Sequence, residues 1–252
     1  MKLKVCSFNI RMATERDGIN EFKYRTGRIL DVIAREKPDL IGFQEVLTCG
    51  RELFQKELSD YVVLGCGRYK NFDGEGVSLA FRKDKFMLLT YENFWLSDFP
   101  EESESFFSAD QSINPREAQI ATLVTEGGEK ILFANTHLDD LGKTARLLGA
   151  DRLLARLGTY GDLPTVVTGD MNAVYGAPEI DRFLQWKKGR LTDMTADSGP
   201  TFHGFGKCPT PYKIDYIFSN GTALAPGYCA EDKPADGVYI SDHYPVFAEI
   251  EL

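Results

Sequence analysis

Ser241-Asp242-His243-Tyr244-Pro245-Val246 sets an acid beside a histidine just ahead of an apolar run. An acid and an imidazole so placed can transfer a proton or grip a phosphate. Three other segments put polar side chains where an apolar run stops. Asn9 ends the run from Leu3 to Phe8. Gln44-Glu45 ends Asp39-Leu40-Ile41-Gly42-Phe43, and Gly169-Asp170-Met171-Asn172 ends Pro164-Thr165-Val166-Val167-Thr168. Buried strands that terminate in carboxylates, amides and imidazoles are the one-dimensional trace of a pocket lined by strand ends.

Each of these residues has its own chemistry. A carboxylate such as Glu45 at a strand end, with further acids and an amide elsewhere, suits an oxygen-rich site for Mg²⁺ or Mn²⁺. Taken alone, Glu45 reads more readily as a cap on the following turn. In Asp170-Met171-Asn172 the period of two places acid and amide on one side of an extended segment, so both can address one water or one phosphate oxygen. Asp170 could then orient or deprotonate that water. The chain has three histidines, His137, His203 and His243. His137 stands in Asn135-Thr136-His137-Leu138-Asp139, at a strand end like His243. No H-x-x-x-H or finger-type Cys/His spacing favours zinc, so acid–base work or phosphate contact is the better role for both. His203, between Phe202 and Phe205, reads as a packing residue.

The elements that must carry these groups are strands of mixed direction with interspersed helices. Strands are predicted over Leu3 to Ile10, Asp39 to Val46, Tyr61 to Gly65, Val77 to Arg82 and Phe86 to Leu96, the last three antiparallel. A hairpin joins Ala118 to Glu126 with Lys130 to Thr136 around Gly127-Gly128. Further strands fall at Thr165 to Gly169, Thr201 to His203, Lys213 to Phe218 and Tyr244 to Leu252. Helices are predicted over Glu21 to Lys37, stopped by Pro38, then Arg51 to Leu58, Thr144 to Leu157 and Glu179 to Trp186. Phe99 to Pro115 is polar and acidic and reads as a surface loop. The pattern suggests two sheets face to face, helices outside, and polar residues along one rim.

Bulk properties narrow the partners. The 252 residues read as one domain, since no linker or repeat divides them. The net charge of -9 means that a polyanionic substrate must be drawn by a local basic patch or a bound cation. Lys187-Lys188-Gly189-Arg190 is the sole basic cluster and reads as a solvated helix end. Five cysteines without a C-x-x-C pair read as reduced, mostly packing thiols. With no apolar leader or membrane span in the sequence, a cytoplasmic location is expected.

Taken together, Ser7-Phe8-Asn9, Gln44-Glu45, Asn135-Thr136-His137-Leu138, Gly169-Asp170-Met171-Asn172, Lys213-Ile214-Asp215-Tyr216-Ile217-Phe218 and Ser241-Asp242-His243-Tyr244-Pro245 resemble the endonuclease/exonuclease/phosphatase superfamily, the DNase I-like metal-dependent phosphoesterases. The six matches occur in family order across nearly the whole chain. The resemblance implies an α/β fold, a four-layer αββα sandwich of two mixed sheets between helices. It further implies that Glu45, helped by Asn9, holds Mg²⁺ (or Mn²⁺), with Asp242 within reach of the metal. Asp170 and Asn172 would position the attacking water, and His243, oriented by Asp215, would contact the scissile phosphate. His137 would be a second phosphate contact with Glu75 as its carboxylate partner. Phe94-Trp95-Leu96-Ser97, Pro115-Arg116-Glu117-Ala118 and Gly199-Pro200-Thr201-Phe202-His203-Gly204 resemble bacterial hydrolases related to the nocturnin and deadenylase branch, which makes Arg116 a phosphate ligand.

The implied reaction is in-line attack of water on a phosphoester, Asp170 acting as base. A nucleotide, a phosphorylated metabolite or a short single strand is the expected substrate, with no membrane and no obligate protein partner. Two rivals stand beside this reading: a non-catalytic binding module that keeps fold and metal site, and a zinc-dependent hydrolase using His137 and Asp139.

Overall fold

The computed structural model describes residues 1–107, 109–187, 190–230 and 234–252. In chain order the elements are β1 (Lys2–Asn9), α1 (Phe22–Glu36), β2 (Leu40–Val46), α2 (Thr48–Glu57), β3 (Tyr61–Gly65), β4 (Gly76–Arg82), β5 (Phe86–Trp95), β6 (Glu117–Thr125), β7 (Lys130–His137), α3 (Lys143–Gly158), β8 (Thr165–Asp170), α4 (Pro178–Gln185), β9 (Thr192–Asp193), β10 (Asp215–Ser219), β11 (Thr222–Ala223), β12 (Tyr228–Cys229) and β13 (Val246–Glu251). One sheet runs β11-β13-β1-β2-β4-β3, with β12 also on β13, and the other runs β5-β6-β7-β8-β10-β9.

Sequence patterning explains the layers. In α1 the buried residues Phe22, Arg25, Ile29, Val32 and Ile33 fall on one helical face. That face packs with Cys6, Phe8, Ile41 and Phe43 on the outer side of the first sheet. The helix ends where Lys37 turns left-handed (φ 47°) ahead of Pro38, its N–H closing on Ile33 O. On the second sheet α3 and α4 supply Leu153, Leu157, Ile180 and Phe183 against Ile120, Val167 and Phe218. Between the sheets lie Leu3, Val5, Leu40 and Phe81 from one and Leu123, Phe133, Val166 and Ile217 from the other. The order is therefore helix, sheet, sheet, helix, a four-layer αββα sandwich.

Each sheet has a parallel pair at its heart, and this fact positions the site. β1 and β2 run parallel with Asn9 beside Gln44, and β7 and β8 run parallel with His137 beside Asp170. Parallel partners require a crossover, supplied by α1 in one sheet and α3 in the other, and they bring both C-terminal ends to the same edge. Antiparallel β10 begins at that edge, Asp215 facing Asp170. Four strand ends and one strand start thus meet on one rim.

Several elements differ from the sequence expectation. β5 crosses to become the edge of the second sheet instead of continuing the β3–β4 hairpin. Thr201 to His203 forms only isolated bridges, from Phe202 to Tyr212 and to His243. The 99–115 loop is more than surface: Phe107 and Ser112 are buried, and Asp110 accepts the N–H groups of Thr144 and Ala145 at the start of α3. An anion there satisfies donors that the helix cannot, which ties the loop to the rim. Of the basic cluster, Lys188 and Gly189 lie outside the described residues, while Lys187 and Arg190 both pair with Asp162.

Candidate active site

Asn9 joins the two sheets at the rim. Its amide nitrogen donates to Glu45 Oε1 at 3.0 Å and to Asp170 Oδ2 at 2.9 Å, while its oxygen accepts the N–H of Arg11. With both hydrogens committed, Asn9 orients the two acids, one from each sheet, and its oxygen is partly spent. Glu45 itself stands at φ 61° in the irregular stretch of β2 between Phe43 and Val46. An extra residue at a strand end re-aims a side chain, and such strained positions gather at functional sites.

On the first-sheet side, Arg11 is surrounded by acids. Its Nε and Nη2 reach Asp17 at 3.0 and 3.2 Å, Nη1 lies 3.7 Å from Glu45, and Nε lies 4.0 Å from Asp242. Burial works against the Glu45 charge, yet Arg11, the N–H of Met12 and Asn9 outweigh it and hold this carboxyl below its usual range. Burial and the nearby charge of Glu45 push Asp242 up. Arg11 gives its close hydrogen bonds to Asp17 and stays 3.7 Å or more from Glu45 and Asp242, so these two carboxylates keep oxygen donors for a cation. Oxygen-only donors fit Mg²⁺ or Mn²⁺ and not a softer metal. Glu45 and Asp242 could hold such an ion.

On the second-sheet side, Asp170 is buried between two imidazoles, with His137 Nε2 at 3.5 Å and His243 Nε2 at 3.7 Å. Its Oδ1 accepts the N–H of Asn172. Burial, then the neighbouring Asp215 charge, pushes its carboxyl up to about 7. The imidazoles differ in charge. Burial opposes the cationic form of His243, but Asp215, bonded to Nδ1 at 2.8 Å, with Asp170 and Asp242, outweighs it and raises the ring to about 10. Asp215 is fully buried, and its second oxygen has no other partner to share its charge. Burial, reinforced by the charges of Arg116 and Arg68, keeps His137 neutral, well below the histidine range. Asn172 (φ 47°) sets its side-chain amide 3.0 Å from His137 Nε2 and donates to Leu138 O.

Asp170, Asp215 and His243 also form a compact group whose ligating atoms lie within 4.8 Å of one another. A cation already occupies it, the His243 ring, whose Nδ1 is committed to Asp215. It is better described as a hydrogen-bonded acid–imidazole relay than as a second metal cage.

Other residues that the sequence marks as candidates take different places. Glu75 lies 3.8 Å from His137, beyond hydrogen-bond reach, because Arg68 takes both of its oxygens at 2.9 and 3.2 Å. The expected Glu75–His137 pairing is thus replaced by an Arg68–Glu75 pair. Arg116 is buried and bonded to Asp139 and Asp140 at 3.3 and 2.7 Å. Asp139 also accepts from Ser112, Leu141 and Gly142, which leaves it a loop organiser with nothing to spare for zinc. His203 packs as expected, but on Tyr244 (4.1 Å, stacked) and Tyr239 instead of its phenylalanine neighbours.

Two arginines of the site are not evident from the sequence. Arg25, fully buried, donates to the carbonyls of Ile10, Arg11, Asn20 and Ile240, so one side chain pins the loop after β1 to the loop that carries Asp242 and His243. Ser241 adds a bond to Asn9 O at 2.7 Å. The signal was a charged residue on the apolar face of α1. Arg11 was visible only as a cation two residues past a strand end.

The sequence profile described as Endonuclease/Exonuclease/phosphatase family matches residues 6–243. The chain belongs to that family. Its members are metal-dependent phosphoesterases, and this protein is an enzyme of that class. A family protein from Bacteroides vulgatus superposes with a TM-score of 0.92 at 28% identity, covering 100% of this chain and 99% of that one. A mannosyl-6-phosphatase from Bacteroides thetaiotaomicron matches at 25% identity and TM-score 0.86, covering 99% and 100%. The human nocturnin catalytic domain, solved with a bound sulfate, shares the fold at 21% identity and TM-score 0.76, covering 99% and 94%. No curated protein sequence matches the chain at a significant level.

Proposed function

We propose that this family member is a Mg²⁺-dependent phosphoesterase that cleaves a small phosphorylated molecule, a phosphomonoester above all, by direct attack of water. The observation that carries the reading is Asp170: a buried carboxyl lifted to about 7, tied by Asn9 to Glu45, and flanked by one neutral and one cationic imidazole. A base whose affinity for protons matches the working pH is what water activation needs. The mannosyl-6-phosphatase, similar over its whole length, supports a monoester of sugar size.

In this mechanism Glu45 and Asp242 would hold the metal, which when bound would supply Lewis-acid stabilisation of charge on the phosphate oxygens. Asp170 accepts the proton of the attacking water, and Asn172 fixes that carboxylate through its backbone N–H. His243, cationic, donates from Nε2 to a non-bridging phosphate oxygen, and Asp215 holds its ring and charge. His137, neutral, sits beside the water position and keeps a second positive charge away from the base. Arg116, with two acids already around it, contributes field more than direct contact. Among the described residues no helix is long and apolar enough to cross a membrane.

The test is phosphate release from a panel of sugar phosphates, nucleoside monophosphates and diesters, with Mg²⁺ or Mn²⁺ and with chelator. Metal-dependent release led by monoesters is the expected result. Turnover confined to polynucleotides would contradict it.

A further inference from the structure

Beside Asn172 a cleft of about 480 Å³ opens between the first turns of α3 and the start of α4. That volume lies in the range of small-ligand pockets. Leu147, Val174, Ala177 and Tyr212 give it apolar walls, and Thr144 and Asn172 bring hydrogen-bonding groups to its edges. Two contacts connect it to the reacting centre. Asn172 belongs to both, since its amide also meets His137 Nε2 at 3.0 Å. From the other side, His243 packs edge-on against Phe202 (5.0 Å between centroids), and Phe202 packs on Tyr212 (5.3 Å). A phosphate gripped by His243 therefore has the cleft next to it.

The charges say what enters. Of the ionic residues lining the cleft, Arg146 and Glu179 neutralise each other at 2.5 Å and are both buried, which leaves Lys143. One exposed cation does not balance a string of phosphates. The walls also stay apolar in water: Val174 is 50% and Tyr212 41% exposed. An aromatic face, aliphatic neighbours and a few polar edges suit a hydroxylated, uncharged ring.

We infer that this cleft is the leaving-group subsite, and that it selects phosphoesters whose alcohol is an uncharged ring of hexose size. The inference rests on the phosphoesterase reading and goes beyond it by assigning the specificity to Tyr212 and Val174. Both side chains are solvent-facing, so Tyr212→Ala and Val174→Trp, which remove one wall and fill the space, should fold.

The experiment compares kcat/KM for glucose 6-phosphate with that for ethyl phosphate, which lacks a ring. The expected wild-type preference for the ring is about tenfold, falling towards one in each variant through KM. Equal values in the wild type, or a preference that both variants retain, would overturn the assignment. If neither ester is turned over, the phosphoesterase reading is what has failed. Calorimetric binding of the non-hydrolysable phosphonate analogues of the same two esters then decides the cleft separately. Tighter binding of the ring analogue, lost in Val174→Trp, supports the subsite; equal binding overturns it.

Discussion

Asp170 and His243 face each other across 3.7 Å, and their protons decide the chemistry. Asp170→Asn keeps the shape and removes the base, so kcat should fall by about 10² to 10⁴. Asp215→Asn tests the other half. With the carboxylate gone, burial dominates and the His243 ring should titrate below the about 10 it has here. Because the phosphate contact needs the cation, the alkaline limb of the pH–rate profile should move to lower pH; a limb that does not move would remove His243 from this role. A third residue matters for stability. Burial and the His243 charge lower His203 to about 4, so between the unfolded value near 6.5 and 4 the unfolded chain binds more protons. Its contribution is full above about 6.5 and is lost as pH falls towards 4; His137, also held neutral, acts in the same direction. His203→Phe should flatten that part of the Tm–pH curve. The acids and histidines of the site were legible as strand-end residues. The Glu75 pairing was not, because Arg68, 69 residues before His137, competes for it across space, and nothing along the chain ranks two partners.

At the scale of elements, the two sheets are joined through a polar seam. Gln44 donates to Asn135 Oδ1 at 2.8 Å, Thr168 donates to the same oxygen at 3.1 Å, and Asn135 donates to Phe43 O and Ser78 O. Gly42 makes room for it, since a Cβ there would lie 1.9 Å from Thr168 Oγ1 and 2.5 Å from Asn135 Oδ1. Gly42→Ala should therefore cost about 1–3 kcal/mol or more by overpacking, read as a lower denaturation midpoint. Unchanged stability would mean that the seam yields freely. The strands and helices themselves were readable from apolar period and from Pro38, usually to within a few residues. Which sheet β5 joins was not, because an edge strand carries the same pattern in either. The role of the 99–115 loop was hidden for a related reason: Asp110 acts through the start of α3, a helix 33 residues further on.

For the whole molecule, a net charge of -9 and a site lined with acids mean that catalysis on an anion depends on cations held in place: in the proposed mechanism, the divalent ion that Glu45 and Asp242 would hold, and His243. The sandwich separates them, one on the β1–β2 side and one on the β8–β10 side, with Asn9 between. The rim arrangement was foreseeable from four apolar runs ending in polar residues; the identity of the substrate was not, because it is decided by Tyr212, Val174 and the start of α3, which come together only in the fold. Measuring Mg²⁺ affinity and phosphoester turnover together in Glu45→Gln and Asp170→Asn tests this division of labour. Both variants should lose turnover, while only Glu45→Gln should lose affinity for the metal. Retained Mg²⁺ affinity in Glu45→Gln would remove Glu45 as a ligand, and full turnover in Asp170→Asn would remove Asp170 as the base.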